Sequence, residues 1–327
     1  MKISPHSPEV SPLRAGEIAA SARAVKLPSP VAVAAPVCRI ATFHSSSLEA
    51  VVASLPALVA LRESFPGARI CSWARAAVVP LLENFAAVDE AHARPGGGLS
   101  SQAALMARLH AGHFDLAVCF SRGSNALMLT WATGASMRAG FVPSHFEAFL
   151  THRVEQDGPL TRGAGLELVR EIGARARGNS AKDQLHIPAE ARARAEKLLR
   201  GGGIETPFML VAPANLRRTR ARRVELAARD ANWNTALEQM AKAWPLVVTP
   251  RSRAPQSQAS TPTAAHPMVA LRGKMDVLTL TALLTQARGV IGDDAGALAL
   301  ADLLERPVVS ATDLEDLPQK ALHRLGL

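Results

Sequence analysis

The sequence predicts an α/β protein with two doubly wound domains, and three observations support this fold class. Short apolar segments with strand character alternate with helical segments in both halves of the chain. The length of 327 residues suits roughly two domains of about 150 residues each. A polar stretch that ends in three glycines at 201–203 separates the two alternating series. Since alternating strands and helices form mostly parallel sheets covered on both faces, we expect one such sheet in each half.

The first half of the chain contains five predicted strands with helices between them. The strands are predicted at 37–43, 68–73, 88–90, 114–120 and 138–142. The helices are predicted at 51–61, 75–84, 102–111 and 124–132. Pro56 is awkward inside the first helix, because a proline there removes one helical hydrogen bond and kinks the axis. Residues 150–205 are polar and helical, and the triple glycine at their end is expected to act as a flexible joint.

The second half repeats the alternation. Its strands are predicted at 208–212, 246–249, 268–271, 289–292 and 307–310, its helices at 224–243, 276–286 and 296–304, and a mobile Pro/Ser/Thr/Gln-rich loop at 250–267. We therefore expect a disordered N-terminal tail at 1–36, an N-terminal Rossmann-like domain at 37–180, a helical linker at 181–206 and a C-terminal Rossmann-like domain at 207–327. Ligands of such sheets bind in the cleft that the two domains face.

Composition narrows the classes of partner. The 37 basic and 28 acidic residues give a net charge of +9, which favours anionic partners such as phosphates, nucleic acid or a membrane surface. Aromatic residues make up 4% and tyrosine is absent, which argues against a stacking platform for single-stranded nucleic acid. No run approaches the roughly 20 apolar residues that cross a bilayer. We expect a protein that binds no nucleic acid.

The cysteines and histidines predict no metal site. Cys38, Cys71 and Cys119 lack metal-ligand spacing and each lies in a predicted strand, so buried thiols are expected. The histidines show no HExxH or similar pattern. We expect neither a metal nor a cofactor.

The strongest local signal is the segment 290–296, where a buried strand breaks into a tight turn that opens a helix. The N–H groups at the helix start form an anion site suited to a diphosphate. Asp294 could cap that helix or accept a hydrogen bond from a ribose hydroxyl. A plain α/β turn with a well-capped helix is the alternative.

Two basic segments add to this signal. Arg217, Arg218 and Arg220 belong to a run of five arginines at 217–223 that follows a predicted strand, and arginine suits bidentate phosphate recognition. A solvated basic face or a nucleic-acid patch would give the same pattern. Lys274 lies in a third strand-to-helix turn, beside Met275.

The turn at 44–49 follows the first strand and is expected to lie across the cleft. Ser47 can cap the helix that begins there. Glu49 is the only carboxylate of this turn and could act as a general base, or could simply interact with the helix dipole.

In this order, the segments resemble glycosyltransferase family 9, the ADP-heptose:lipopolysaccharide heptosyltransferases. Residues 46–52 with Leu55-Pro56-Ala57-Leu58 resemble the opening S-L-G-D-[VI]-[VI]…L-P-A-L motif. Residues 273–275 and 292–296 resemble the G-K-[TM] and G-[ND]-D-[ST]-G motifs of the second domain. The resemblance spans roughly residues 37–310 and accounts for the proline in the first helix.

The resemblance implies a GT-B fold, with the acceptor on the N-terminal domain and an ADP-heptose-like nucleotide-sugar on the C-terminal one. It implies inverting sugar transfer without a metal, to lipopolysaccharide or a related anionic glycolipid. Such a protein is expected in the cytoplasm, with peripheral contact at the inner face of the inner membrane. The implied donor-binding residues are Lys274, Met275, Asp294, Ala295, Gly296, Arg217, Arg218 and Arg220. The implied acceptor side comprises His44, Ser46 and Ser47.

The sequence departs from the family pattern at several functional positions. Ala295 stands where the family has a serine or threonine, the W-P after the first strand of the second domain is missing, and no acidic ribose contact is present at 250–258. Ala50 stands where the family has its catalytic aspartate, and Ala299 where it has a histidine. An alanine cannot take a proton, so Glu49 is the candidate replacement base; it lies one position earlier and about 100° around the helix. The alternative is an inactive relative that binds a nucleotide-sugar or acts as a scaffold.

Overall fold

Two parallel β-sheets organise the computed structural model, one in each half of the chain. The structure describes residues 37–310 except for Gly97 and residues 144–145, 205–206, 214–236, 238–239, 251–265, 267 and 272–274. The described residues belong to one compact unit.

The first sheet has six strands in the order β3-β2-β1-β4-β5-β6, all parallel. The strands are β1 (Arg39–His44), β2 (Arg69–Ala74), β3 (Glu90–Ala93), β4 (Leu116–Phe120), β5 (Met137–Val142) and β6 (His152–Glu155). The helices of this half are α1 (Leu48–Ser64), α2 (Val79–Glu83), α3 (Leu99–His110), α4 (Ser124–Ala132) and α5 (Arg162–Glu171). Short 3₁₀ helices lie at Ala76–Val78 and Glu147–Phe149.

The second sheet has five parallel strands in the order β11-β10-β7-β8-β9. The strands are β7 (Met209–Ala212), β8 (Leu246–Val248), β9 (Met268–Ala270), β10 (Gly289–Gly292) and β11 (Val308–Ser310). Helix α6 (Ala189–Gly201) connects the two halves, and α7 (Val277–Gln286) and α8 (Ala295–Leu303) follow in the second half. The predicted α/β class with two parallel sheets is confirmed.

The structure corrects the expected end of the first sheet. The sequence predicts polar, helical chain after residue 150, but β6 adds a sixth strand beside β5. This strand lies at the edge of the sheet and Val154 is its only buried residue. A short edge strand with one apolar side chain carries almost no period-2 signal, which is why the pattern missed it.

The glycines at 201–203 form a helix cap rather than the expected flexible joint. Gly203 adopts a φ of +64°, which favours glycine because it lacks a Cβ. Its N–H donates to the carbonyl of Arg200, and the N–H of Ile204 donates to the carbonyl of Leu199. This pair of bonds is a Schellman motif, so the glycines terminate α6 in one defined geometry.

A shared hydrophobic core connects the two halves. One cluster of buried side chains includes Ile40 and Leu58 of the first half and Leu210 and Leu300 of the second. The predicted burial of Cys71 and Cys119 is confirmed, whereas Cys38 is exposed because it precedes β1 rather than lying within it. Among the described residues, no helix is long and apolar enough to cross a bilayer.

Three predicted segments fall wholly or mostly on residues that the structure does not describe. The tail at 1–36, most of the helix at 224–243 and most of the loop at 250–267 lie outside the described residues. The domain boundaries at 180 and 207 stay predictions.

Candidate functional site

The first turns of α1 and α8 meet between the two sheets. Gly296, in the first turn of α8, faces Leu48, the first residue of α1: an ideal Cβ on Gly296 would lie 2.9 Å from Cβ of Leu48. Helix α1 follows β1 and α8 follows β10, so both helices begin at the carboxyl edge of a parallel sheet. Ligands of doubly wound sheets bind at this edge, and two helix N-termini are directed towards it here.

The turn before α8 is shaped by packing against β7. A Cβ on Gly292 would lie 2.0 Å from the carbonyl oxygen of Ala212, so only glycine fits. The same oxygen accepts hydrogen bonds from the N–H groups of Asp293 and Asp294, both at 3.1 Å. The glycine therefore lets the strand end lie against β7, and the two hydrogen bonds connect the turn to that strand.

Asp294 caps α8, as one interpretation of its sequence predicts. Its Oδ1 accepts a hydrogen bond from the N–H of Ala297 at 2.9 Å. The N–H groups of Ala295 and Gly296 precede the first intrahelical bonds and have no hydrogen-bond acceptor among the described residues. Both groups lie at the positive end of the helix dipole, which favours anions, but only Ala295 is accessible. Leu48 covers Gly296, and Ala295 is exposed.

The start of α1 places the candidate base beside this turn. Ser47 caps the helix as predicted, with its Oγ accepting from the N–H of Ala50 at 3.3 Å. Ser46 is exposed, and Glu49 and Ala50 are half-buried. Because Glu49 directly follows Leu48, its backbone lies one residue from the contact with Gly296.

His44 was expected to lie on the acceptor side of the site, but it lies in the protein interior. Its side chain is fully buried and stacks on Phe120 with a centroid distance of 5.4 Å. Direct contact with an acceptor needs exposed surface, and His44 has none in this structure. Burial, with the positive charge of Arg94 as a second cause, lowers the pKa of His44 to about 3.

The hydrogen bonds around His44 assign its tautomer. Ser54 Oγ donates its single proton to the carbonyl of Val51 at 2.7 Å, so Nδ1 of His44 must donate to that Oγ, at 2.9 Å. Nε2 of the neutral ring is then the acceptor and receives the Thr42 hydroxyl proton at 3.1 Å. Ser72 in turn donates to Thr42 Oγ1 at 2.7 Å. The ring is a fully satisfied link between β1 and α1.

Arg94 is a candidate that the sequence analysis did not single out. It directly follows β3 at the carboxyl edge of the first sheet, and its charge acts on His44 and Cys119. Its Nε is buried and has no hydrogen-bond partner among the described residues. Burial lowers the pKa of Arg94 despite the opposing effect of Cys119. The sequence does contain a signal for Arg94, because it is a basic residue that follows a strand, as the arginines at 217–223 are.

Some predicted donor-binding residues cannot be placed. Lys274, Arg217, Arg218 and Arg220 lie outside the described residues. Met275 is half-buried and packs against the core. Within the described part of the chain, no three His, Cys, Asp or Glu side chains form a group that could hold a metal.

Ion pairs and helix contacts tie the two halves together away from the candidate site. Arg162 of α5 pairs with Asp302 of α8 at 2.9 Å, and Lys182 pairs with Glu305 at 2.7 Å. Nε of Arg194 donates to Thr279 Oγ1 at 3.1 Å, so α6 is linked to α7. These exposed contacts link the two halves in addition to the shared core.

A separate open cavity of about 430 Å³ lies at the opposite end of α1. Arg62, at its wall, donates to the carbonyls of Pro66 and Ala68 and pairs with Asp89. The guanidinium of Arg62 is already bonded to protein groups and is therefore not available to a ligand. The helix N-termini are the better candidate ligand site.

Comparison with known proteins identifies the fold. No family model matches the sequence, and no curated protein matches it. A glycosyl transferase family 9 structure from Veillonella parvula matches with a TM-score of 0.68 at 17% identity, over 84% of this chain and 80% of that one. The Escherichia coli heptosyltransferase WaaC with ADP matches with a TM-score of 0.62 at 15% identity, over 88% and 99%.

A UDP-GlcNAc 2-epimerase from Methanocaldococcus jannaschii also matches, with a TM-score of 0.52 at 11% identity, over 88% of this chain and 92% of that one. The chain therefore has the GT-B fold of the family 9 glycosyltransferases that its motifs resemble, which confirms the expected architecture. The epimerase match means that the fold alone does not specify the reaction.

Proposed function

We propose that this protein is a glycosyltransferase of the heptosyltransferase type. It transfers a sugar with inversion from an ADP-heptose-like nucleotide-sugar to a lipopolysaccharide core or a related anionic glycolipid. The observation that carries this proposal is the contact of Leu48 with Gly296, which joins the two segments that resemble the family's acceptor and donor motifs. The fold shared with a heptosyltransferase solved with ADP supports it.

The donor diphosphate binds at the start of α8 in this proposal. The N–H group of the exposed Ala295 donates to a phosphate oxygen, and the helix dipole adds a favourable potential. The carboxylate of Asp294 is held by the Ala297 N–H, so one oxygen is committed to the cap. Lys274, Met275 and the arginines 217, 218 and 220 complete the donor site; the cations balance the phosphate charge.

The acceptor lies beside the start of α1. Ser46 and Ser47 offer hydroxyl groups, and Arg94 offers a cation for an anionic acceptor. Glu49 takes the proton from the acceptor hydroxyl as the new C–O bond forms at the anomeric carbon. The bond from that carbon to the diphosphate breaks on the opposite face, and the diphosphate leaves with the electron pair. His44 acts only by fixing the turn between β1 and α1.

Calorimetry and a transfer assay test this proposal. ADP and ADP-heptose should bind, and the wild type should transfer sugar to a lipopolysaccharide core oligosaccharide. Glu49→Gln should reduce transfer roughly 10²–10⁴-fold, the usual contribution of a positioned base, with little change in ADP affinity. Failure of the wild type to bind either nucleotide would overturn the proposal.

A second candidate is an inactive relative that keeps the nucleotide-sugar site. Ala50 and Ala299 favour it, because both are half-buried on α1 and α8 and neither can carry a proton. Tight binding of ADP-heptose without transfer in either wild type or Glu49→Gln would support this candidate. Gain of transfer in Ala50→Asp would show that only the base is missing.

A further inference from the structure

Helix α4 presents large apolar side chains to solvent. Met128 is 37% exposed and Trp131 is 51% exposed, whereas most large apolar side chains of the described residues are buried. The two residues are three positions apart and therefore lie on one face of the helix. Large apolar side chains that are exposed together, unlike single ones, are typical of an interaction or membrane surface.

The apolar face continues beyond α4 as an aromatic stack. The ring of Trp131 stacks on Phe149 with a centroid distance of 5.4 Å, and Phe149 stacks on Phe146 at 5.3 Å. Phe149 belongs to the 3₁₀ helix Glu147–Phe149. Three of the chain's 13 aromatic residues (4 Trp plus 9 Phe) are thus joined at one surface.

Helix α3 extends this face with small and apolar residues. It packs beside α4, and Nδ1 of His110 would lie 3.2 Å from a Cβ on Gly134, just after α4. Leu99, at the start of α3, is 88% exposed. The outward-facing residues of α3 also include the alanines 103, 104 and 107, and the cation Arg108.

Helices α3 and α4 contribute only positive charge to this face. Neither α3 nor α4 contains an Asp or Glu. Arg138 lies at the edge of the stack, where its Nε donates to the carbonyl of Phe149 at 2.6 Å. The exposed Glu147 of the 3₁₀ helix is the one carboxylate of this face among the described residues, and the two arginines leave the face with a net positive charge. By contrast α6 mixes both signs along its length, with Glu190, Arg192 and Glu196 all exposed.

We propose that the outer face of α3 and α4, together with the 3₁₀ helix Glu147–Phe149, is a docking surface for an anionic lipid bilayer. Trp131, Met128 and Leu99 enter the interfacial region, while the exposed Arg108 lies near lipid phosphates. Arg138 adds its positive charge, although its guanidinium is bonded to the carbonyls of Phe149 and Ala135. The cationic charge of the face complements such a surface. A second copy of the chain fits less well, because a symmetric contact would bring two faces of the same net charge together.

This surface deepens the proposed function and rests on it, since a glycolipid acceptor is presented at a bilayer. It places on a defined face the membrane contact that the net charge of +9 favours. Binding depends on apolar insertion and electrostatic attraction together, so loss of either component should weaken it.

Flotation with vesicles tests the proposal on the full-length protein. Wild type should float with vesicles of phosphatidylethanolamine and phosphatidylglycerol, not with phosphatidylcholine alone, and added salt should reduce the bound fraction. The double variant Met128→Ser with Trp131→Ser should lower the partition coefficient by roughly tenfold or more. Arg108→Gln should weaken vesicle binding less than the double variant does, and Trp131→Phe should retain most of the binding. Arg192→Gln on α6 is the matched control and should have no effect.

Two further measurements make the result decisive. Thermal unfolding checks that each variant is folded, and ADP calorimetry on the same samples tests the nucleotide site separately. Wild type that fails to float, or a double variant that floats as well as wild type, overturns the docking surface even if ADP binds. A wild-type dimer that the double variant converts to a monomer would instead assign the face to a second copy. Flotation without ADP binding would contradict the proposed function alone.

Discussion

Gly296 contacts Leu48 so closely that no methyl group fits between them. An ideal Cβ on Gly296 would lie 2.9 Å from Cβ and 3.1 Å from Cδ2 of Leu48. A Cβ is fixed to its backbone, so rotation of the leucine side chain cannot relieve the first contact. The spacing of α1 and α8 at the candidate site therefore depends on a glycine at this position.

Gly296→Ala should separate the first turns of α1 and α8. Overpacking of this kind costs about 1–3 kcal/mol, which exceeds the gain of up to ~1 kcal/mol from replacing glycine in a helix. Urea unfolding should show a lower free energy of unfolding, and ADP affinity should fall. Gly201→Ala is the control, because a Cβ there meets no atom within 4 Å. Equal stability of both variants would contradict the packing.

Asp294 should act through its cap and not through its charge. Asp294→Ala removes the hydrogen bond to the Ala297 N–H and should lower the free energy of unfolding by about 1 kcal/mol. Asp294→Asn keeps a capping oxygen and should be close to wild type in stability. If a diphosphate binds this turn, removal of the negative charge should leave ADP affinity unchanged or raise it, as calorimetry can measure. Weaker ADP binding by the asparagine variant would argue for a direct ligand role of the carboxylate.

His44 should make the fold sensitive to acid. Its pKa falls from 6.5 to about 3 on folding, so the unfolded chain binds the extra proton between these values. The stabilisation of the fold by the neutral His44 ring is fully present above pH 6.5. As the pH falls below this value, the free energy of unfolding decreases by at most about 1.4 kcal/mol per pH unit. Urea unfolding at pH 7, 6 and 5 should therefore show the free energies of wild type and His44→Leu converging. A constant difference between them would mean that the ring is not held neutral.

The three cysteines should differ sharply in reactivity. Cys38 is exposed and should react with Ellman's reagent in the native protein. Burial raises the pKa of Cys71, and it raises the pKa of Cys119 to about 11, so their thiolates are scarce and shielded. We expect one fast thiol at pH 8, lost in Cys38→Ser, and two more after denaturation. Rapid reaction of all three in the native state would refute the burial of β2 and β4.

Local patterns predicted most elements because each carried its own signal. The helix at Ser124–Ala132 and the strand Gly289–Gly292 were predicted at their observed bounds. The caps at Ser47 and Asp294 followed from residue type and position. Strand β6 was missed because an edge strand buries only one side chain. The cysteine before β1 was placed inside the strand because an apolar run does not mark where pairing begins.

The candidate site was predicted only in part. The sequence directed attention to the turns at 44–49 and 292–296, and the structure joins their helices at Leu48 and Gly296. It did not predict that His44 faces inward, because a polar residue after a strand reads as part of an exposed turn. It did not single out Arg94, whose importance comes from neighbours on β1 and β4.

The sequence by itself determined the alternation of strands and helices, the two-sheet α/β class and the helix caps, because these depend on residues within one or two turns of each other. Only the tertiary structure decided the contact of Leu48 with Gly296, the neutral buried ring of His44 and the outward aromatic face of Trp131. Each of these depends on residues far apart in the chain, since burial and charge are set by what packs against a side chain and not by its neighbours in sequence.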